Sequence, residues 1–466
     1  EALRRAFRDF PERQPMNREN RSTHAAAYCR RDGTIELVRE DIGRHNALDK
    51  LAGALTRAGR DAGDGFLLLS SRLSVELVYK AAVIGAPFAA SISAPTALAL
   101  ETAARATGPL AGIAVGIKDI FDTRDMPSAY GTPIHEGHRP TVDAAIVSML
   151  RRAGATIIGK TVTTAYAFLD PAGTRNPVAP GHTPGGSSSG SAAAVAAGMV
   201  PATVGTQTGG SVLRPAAYCG VTGYKPSFRL VPTVGFKTFS WTLDTAGFFA
   251  ASAEDVAFLA AAATGRELKV EPADGSKLRI GVFRSGVWEE ASGPMRDALQ
   301  ALADKAARAG ASVVEIAEPA ELTAAREVHS VIQNFEAALA LSDEFDRFGD
   351  QMSPKLVEAL QSGRDTSPQH YDQARRLARQ ARRKAHALFD GIDVLITPAA
   401  PGAAPEGLGS TGSPIFNKLW TMTGNPCVSV VGASDSGGLP LGLQAVAAFG
   451  QDRLALSAAH WLENLN

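Results

Sequence analysis

Cysteine is scarce in this 466-residue chain, which has three, Cys29, Cys219 and Cys427. A small, odd, scattered set builds neither a disulfide framework nor a metal site, and it suits a reducing, cytoplasmic compartment. Net charge is missing too, because 47 Lys and Arg balance 47 Asp and Glu. Without a basic excess to release counterions, nucleic-acid binding is not expected. The longest basic cluster, Arg375, Arg376, Arg379, Arg382, Arg383 and Lys384, has helical spacing and reads as a solvated helix face. The chain lacks any apolar run of the ~18 residues that a membrane span needs. Its first thirty residues, rich in Arg and Glu, lack the apolar centre of a signal peptide. The chain starts at Glu1 rather than Met, which admits a fragment of a longer product. The length is enough for two or three domains.

What is present is an alternation of short apolar runs with helical stripes. Residues 33–38, 66–69 and 87–92 read as strands, and 47–55 and 73–84 as helices, giving a small α/β unit. Composition changes near residues 106–109. Beyond it, the Gly-punctuated apolar run Pro109–Ile117 reads as a strand and Asp143–Gly154 as a helix. Strands follow at 156–159, 278–283, 311–316 and 393–397, with helices at 294–310, 320–346 and 354–390. The fold class expected is α/β, a mixed or parallel sheet flanked by helices.

The most unusual stretch lies between Pro184 and Pro226. Gly-Gly-Ser occurs twice, ending at Ser187 and Ser211, and the first copy runs into an Ala-rich helical segment at 192–197. Such tracts are often linkers, or phosphate cradles. No Gly-Lys-Ser/Thr follows, however, and no Gly-x-Gly-x-x-Gly with a later acidic residue is present. The remaining reading is a nucleophilic serine in a turn whose backbone N–H groups face a developing oxyanion. A serine needs a base. His182 is the one histidine nearby, in a loop-like stretch. Lys118, at the end of the apolar run 113–117, is the other candidate, provided burial keeps it neutral.

Four motifs in order, Gly116-Ile117-Lys118-Asp119, Gly185-Gly186-Ser187-Ser188-Ser189-Gly190-Ser191, Gly205-Thr206-Gln207-Thr208-Gly209-Gly210-Ser211 and Cys219-Gly220-Val221-Thr222-Gly223-Tyr224-Lys225-Pro226, resemble the amidase signature family. Leu243-Asp244-Thr245, Thr397-Pro398 and Gly438–Gln444 continue the resemblance, which covers about residues 108–466. It implies a mixed sheet covered by helices on both faces. It also implies a triad in which Ser211 is acylated, Ser187 on a cis peptide bond relays the proton, and Lys118 is the neutral base. The backbone N–H groups of Thr208, Gly209, Gly210 and Ser211 would form the oxyanion hole, and Ser188 would support Ser187 and Lys118. No metal or cofactor is implied. Cys219 and Cys427 read as packed thiols. One departure stands out. The family's common pattern has Asp four residues before the nucleophile and Arg two after it. Here Gln207 and Leu213 hold those places and Arg214 follows. A buried ion pair lost as a pair would explain this, since one partner alone would be an uncompensated charge. On that reading Gln207→Asp alone destabilises the protein.

The helical arm that precedes the lysine strand in this family is not evident. Instead, Thr23–Ala27, Val38–Lys50 with its Gly43-Arg44-His45-Asn46-Ala47-Leu48-Asp49-Lys50 block, Glu76–Val78 and Ser93–Thr96 resemble the C-terminal part of the formate dehydrogenase accessory sulfurtransferase family, over about residues 1–106. That family moves sulfur with a Cys-x-x-Cys pair and binds a molybdopterin guanine dinucleotide. No Cys-x-x-Cys occurs here, so a truncated module without sulfur transfer is expected. Asp41, Arg44 and His45 are left between a remnant nucleotide pocket and a capping or solvated role.

The division expected is therefore 1–107 for the truncated module and 108–466 for the amidase domain. The leading function is hydrolysis of a linear, non-peptide C–N amide bond in a small molecule. Three alternatives remain: the glutaminase-type A-subunit of a tRNA-dependent amidotransferase, a molybdenum-cofactor or sulfur-delivery accessory protein, and a folded but inactive triad. A homodimer is left open, and no side chain of residues 120–180 or 320–420 announces the charge of a substrate.

Overall fold

The computed structural model describes residues 2–93, 108–271 and 274–465. Ala94, Pro95 and Thr96 of one quoted motif lie outside the described residues. The chain forms two compact units, residues 1–113 with 150–156, and residues 114–149 with 157–466.

The first unit has four strands, β1 (His24–Arg30), β2 (Ile35–Asp41), β3 (Gly65–Arg72) and β4 (Ala89–Ser93), in one sheet of order β2-β1-β3-β4. β1 is antiparallel to β2 and β3, and β3 is parallel to β4. Alternation along β3 feeds two cores. Leu67 and Leu69 pack with Leu48 and Leu51 of α3 (Arg44–Arg57) and Leu77 of α4 (Val75–Val83). Phe66 and Leu68 pack with Ala6 of α1 (Ala2–Asp9) and with Phe10 just beyond it. A short helix α2 (Pro15–Asn20) links α1 to β1. The period of two in a strand puts consecutive side chains on opposite faces.

The second unit is built on β5 (Ala114–Lys118), β6 (Thr156–Thr161), β7 (Ala202–Gln207), β8 (Thr222–Lys225), β9 (Thr245–Ala250), β10 (Arg279–Arg284), β11 (Ser312–Ala317), β12 (Val394–Pro398), β13 (Cys427–Val430) and β14 (Leu443–Ala447). They form a ten-stranded sheet in the order β11-β10-β12-β14-β13-β8-β9-β7-β5-β6. β5 and β7 are parallel, and β7 is antiparallel to β9. Both parallel and antiparallel neighbours occur across the rest. This is the mixed α/β fold expected from the alternation. β7 and β9 are buried along their whole length, as strands covered on both faces are.

The run 109–117 is not one strand. Residues 108–113 form a turn in which Ala111 N–H donates to Gly108 O (3.0 Å) and Ile113 N–H to Leu110 O (2.9 Å). Gly112 has φ +80°, a left-handed conformation that ends an extended run, and β5 starts only at Ala114. Asp143 precedes rather than opens its helix, α5 (Ala145–Arg152), and accepts a hydrogen bond from Arg124 N–H (3.0 Å).

Candidate active site

The site is assembled where β5 and β7 end side by side. Their register pairs Ile117 with Val204, which brings Lys118 level with the last residues of β7. Gly116 permits the approach, since a Cβ there would lie 2.9 Å from Thr161 Cγ2 and 3.0 Å from Thr203 Cγ2. Lys118 is fully buried. Its Nζ lies 2.8 Å from Ser187 Oγ and 2.8 Å from Thr206 Oγ1. Burial pushes its pKa well below the ordinary lysine value, and the Asp244 carboxylate opposes this only in part. The neutral amine has a lone pair that can accept a proton from Ser187.

Ser187 follows a cis peptide bond, Gly186–Ser187. The two glycines before it are packed too tightly for side chains. A Cβ on Gly185 would lie 2.8 Å from Pro215 Cα, and one on Gly186 2.7 Å from Thr411 Cγ2. Arg214 Nη2 donates to Gly186 O (2.6 Å), and Thr164 N–H donates to Ser187 O (3.2 Å). Ser188 does not reach Ser187 or Lys118 among the described hydrogen bonds. Its Oγ donates to Thr206 O (3.1 Å) and accepts from Thr206 N–H (3.3 Å). Ser188 therefore fixes the backbone of Thr206, and Thr206 in turn meets Lys118. Here the expectation drawn from the sequence is corrected by one residue.

Ser211 lies in the turn between β7 and α7 (Leu213–Cys219; α6, Ser189–Ala196, carries the first serine-rich motif). With Thr208, Gly209 and Gly210 it lines a cavity of about 210 Å³. Thr208 Oγ1 donates to Asp244 Oδ1 (2.6 Å), while Asp244 Oδ2 accepts from Phe239 N–H (2.9 Å) and Ser240 N–H (3.0 Å). Burial outweighs these donors and raises the Asp244 carboxyl to about 6. Among the described residues, the N–H groups of Gly209, Gly210 and Ser211 meet no protein acceptor. Buried backbone donors are rarely left so, and three in a row beside a serine suit an anionic oxygen.

The departure at Gln207 has a local explanation. Its Oε1 accepts from Val212 N–H (2.9 Å) and Leu213 N–H (3.1 Å), capping α7, and its Nε2 donates to Thr421 Oγ1 (2.9 Å). Arg214, one place after Leu213, is a buried guanidinium with no described contact to Gln207. Its Nη1 and Nη2 donate to carbonyls, Gly412 O (2.8 Å) and Gly186 O, instead of a carboxylate, while its buried Nε meets no partner among the described residues. Burial lowers its pKa to about 10.

Thr206 lay within the quoted Gly205–Ser211 motif but was given no role, and nothing in the sequence pointed to His329, Thr421 or Lys418, which come from distant segments. Lys418 lies on the cavity wall with Ser330, Gln333 and Asn334, and no Asp or Glu lines that wall. Its Nζ donates to Ser330 Oγ at 3.4 Å and, among the described residues, meets no carboxylate. Burial and the nearby Arg214 charge lower its pKa. His182 joins Glu406 in an isolated bridge and has no described contact with Lys118, Ser187 or Ser211. All three cysteines are free and buried, and burial pushes Cys29 and Cys427 up to about 12 and Cys219 higher still.

In the first unit, Asp41 is engaged locally. It accepts from Gly43 N–H (2.9 Å) and Asn46 Nδ2 (3.2 Å) and pairs with Lys50 (2.5 Å), which holds its carboxyl at about 2. Among the described residues no cluster of three or more His, Cys, Asp or Glu suited to a metal occurs, and no helix is long and apolar enough to cross a membrane.

The profile of the amidase family matches residues 74–456. The chain belongs to the amidase family. The glutamyl-tRNA(Gln) amidotransferase A-subunit of Rhodopirellula baltica is 32% identical over 403 residues, 73% of this chain and 80% of that protein. Its counterpart of the same name in Acidothermus cellulolyticus is 34% identical over 421 residues, 76% of this chain and 82% of that protein. Among solved structures, an amidase superposes with a TM-score of 0.72 at 28% identity, covering 90% of this chain and 95% of the other. The FdhD/NarQ family profile matches the N-terminal end of the chain, residues 1–119. The two matches overlap at residues 74–119, so each runs past the 107/108 division expected from the motifs.

Proposed function

We propose that this amidase-family chain hydrolyses a C–N amide bond through an acyl-enzyme on Ser211. The observation that carries the proposal is a fully buried, neutral-leaning Lys118 whose Nζ is 2.8 Å from Ser187 Oγ. Ser211 Oγ attacks the amide carbonyl carbon. Its proton passes to Ser187 as the Ser187 proton passes to Lys118 Nζ. The N–H groups of Thr208, Gly209, Gly210 and Ser211 hold the oxyanion. When the C–N bond breaks, the ammonium of Lys118 returns a proton through Ser187 to the leaving amine. Water then attacks the ester carbonyl along the same relay, releasing the acid and restoring Ser211. The test is labelling with a fluorophosphonate. Wild-type protein should take up one label per chain and Ser211→Ala none, and a label that survives Ser211→Ala would overturn the assignment.

For the substrate, the likeness to proteins named as the amidotransferase A-subunit favours the glutaminase-type reading over a free-standing hydrolase of a linear amide. Lys418 supports it, because a cation on the cavity wall with no carboxylate partner among the described residues suits an amide that carries a carboxylate, as glutamine does. On this reading partner subunits accept the ammonia. Glutamine hydrolysis and copurification of such partners would bear it out. Turnover of neutral small amides with none of glutamine would return the assignment to a free-standing hydrolase. For the first unit, the reading is an FdhD/NarQ-family segment without sulfur transfer, supported by the absence of Cys-x-x-Cys from the sequence and by the burial of Cys29.

A further inference from the structure

The turn Thr208–Ser211 exposes its N–H groups only if its carbonyls are turned the other way, and the carbonyls of Thr208, Gly209 and Gly210 each have a partner. In a trans peptide the C=O of one residue and the N–H of the next point in opposite directions. Thr208 O lies 2.9 Å from His329 Nε2. Gly209 O accepts from Thr421 Oγ1 at 2.8 Å. Gly210 O accepts from Arg214 N–H (3.0 Å) in the first turn of α7. The opposite ends of these three peptide units are the unpaired N–H groups of Gly209, Gly210 and Ser211.

We propose that His329 and Thr421 are positioning residues that aim the oxyanion-binding peptides by holding the carbonyls behind them. This rests on the reading that Ser211 is acylated. Neither residue touches the reacting atoms.

His329 is suited to the task. It is the first residue of its helix (His329–Ala340) and is fully buried. Because Thr208 O can only accept, Nε2 must carry the hydrogen. Burial lowers the ring pKa to about 3 and the nearby Lys418 charge adds to this, so the ring remains a neutral, single-tautomer donor. The ring packs against the turn, its Cε1 at ordinary van der Waals distance (3.8 Å) from the place a Cβ on Gly209 would take. Thr421 sits in the helix Ile415–Thr423 and links two parts of the turn, accepting from Gln207 Nε2 and donating to Gly209 O. Its helix also closes the space around Gly210, where a Cβ would lie 2.5 Å from Asn417 Oδ1. The turn is thereby fixed from two helices far from it in sequence.

The experiment is saturation kinetics of fluorophosphonate labelling on the full chain, because phosphonylation develops the same anionic oxygen. Removing one oxyanion donor costs ~10²–10³ in rate, so a misaimed pair should cost at least ~10-fold. Thr421→Val keeps the shape and removes the hydroxyl; it should lower the limiting rate by that factor, leave the half-saturating concentration unchanged, and still reach one label per chain. Thr421→Ser should restore the rate. His329→Ala should behave as Thr421→Val does, and His329→Gln, which retains an N–H donor, should recover part of the loss. The inference is overturned if Thr421→Val and His329→Ala label at the wild-type rate. It is equally overturned if their rates fall only in step with the labelled fraction, which is what a purely structural role produces. Failure of the Ser211 reading looks different: wild-type protein itself then shows no Ser211-dependent label.

Discussion

At the scale of single residues, the chemistry rests on keeping an amine uncharged. Among the described residues Lys118 has no carboxylate in contact, and its hydrogen-bond neighbours are two hydroxyls. Its folded pKa lies below the unfolded value of 10.5. Between those two values the unfolded state binds more protons, so stability rises with pH across that window. The proposed reaction rises with it, because only the neutral fraction accepts the proton from Ser187. The labelling rate should therefore climb with pH and level off below the usual lysine range. Lys118→Met should cost roughly 10²–10⁴ in rate, the span of general-base assistance. Lys118→Arg should not recover it, since a guanidinium does not deprotonate. A rate that begins to rise only above pH ~10, as for an ordinary lysine, would rule out a neutral Lys118 as the base. The residues with this chemistry were legible in the sequence, because Lys118, Ser187 and Ser211 sit in short motifs with their glycines. Thr206 stood in the same motif as Ser211, but its contact with Lys118 was not legible, and His329, Thr421 and Lys418 were not legible at all, because each acts only through a partner that folding brings to it. Gln207 is the instructive middle case. Its departure from the motif was visible, but its role as a helix cap depends on where α7 begins.

At the scale of elements, the site depends on two strand ends and one turn. β5 delivers Lys118 and β7 delivers Thr206, and the turn after β7 delivers Ser211 before α7 starts. Gln207 joins the strand end to the helix start, satisfying two N–H groups that α7 cannot satisfy itself. Gln207→Leu strands those donors and deprives Thr421 of one, at about 1–3 kcal/mol for each buried group left unpaired. Thermal melting should fall accordingly. Gln207→Asp should also lower it, because the shorter side chain gives up the bond to Thr421 and brings a charge into a fully buried place. An unchanged melting temperature in both variants would refute the capping role. The long helix Pro368–Ala387 shows how pattern and surroundings divide the information. Its buried positions Tyr371, Ala374, Ala378, Ala381 and Ala385 follow helical spacing and its basic residues largely face outward, as the periodicity indicated. Arg375 and Arg382 are half-buried, and Arg382 is bonded through Nε to Met422 O (3.0 Å), a contact that periodicity alone does not specify. The strand drawn through 109–117 failed for the complementary reason, since apolar composition outweighed the turn that Gly112 permits.

At the scale of the whole molecule, the chain contains two compact units with separate cores, and every residue assigned to the proposed chemistry lies in the second. The division is not a single cut, because Leu110 N–H donates to Ala153 O (2.8 Å) and Thr156 N–H to Ile113 O (2.9 Å), tying residues 108–113 to 150–156 within the first unit. Units with their own cores unfold with their own free energies, so a full-length chain need not melt in one step. Leu67 offers a clean lever. It is fully buried in β3 and packs among Leu48, Leu51 and Leu77 of the first unit. Leu67→Ala removes buried methyl groups from a core that cannot fully collapse around the gap, at a cost of about 2–5 kcal/mol. In calorimetry of the full chain that cost should appear as a lower temperature for one transition, while the other keeps its position. Fluorophosphonate labelling at 25 °C should proceed at the wild-type rate, because neither the relay Lys118–Ser187 nor the turn Thr208–Ser211 draws on the Leu67 core. A variant that shifts both transitions together, or that loses the label while still folded, would show that the chemistry of the second unit depends on the integrity of the first.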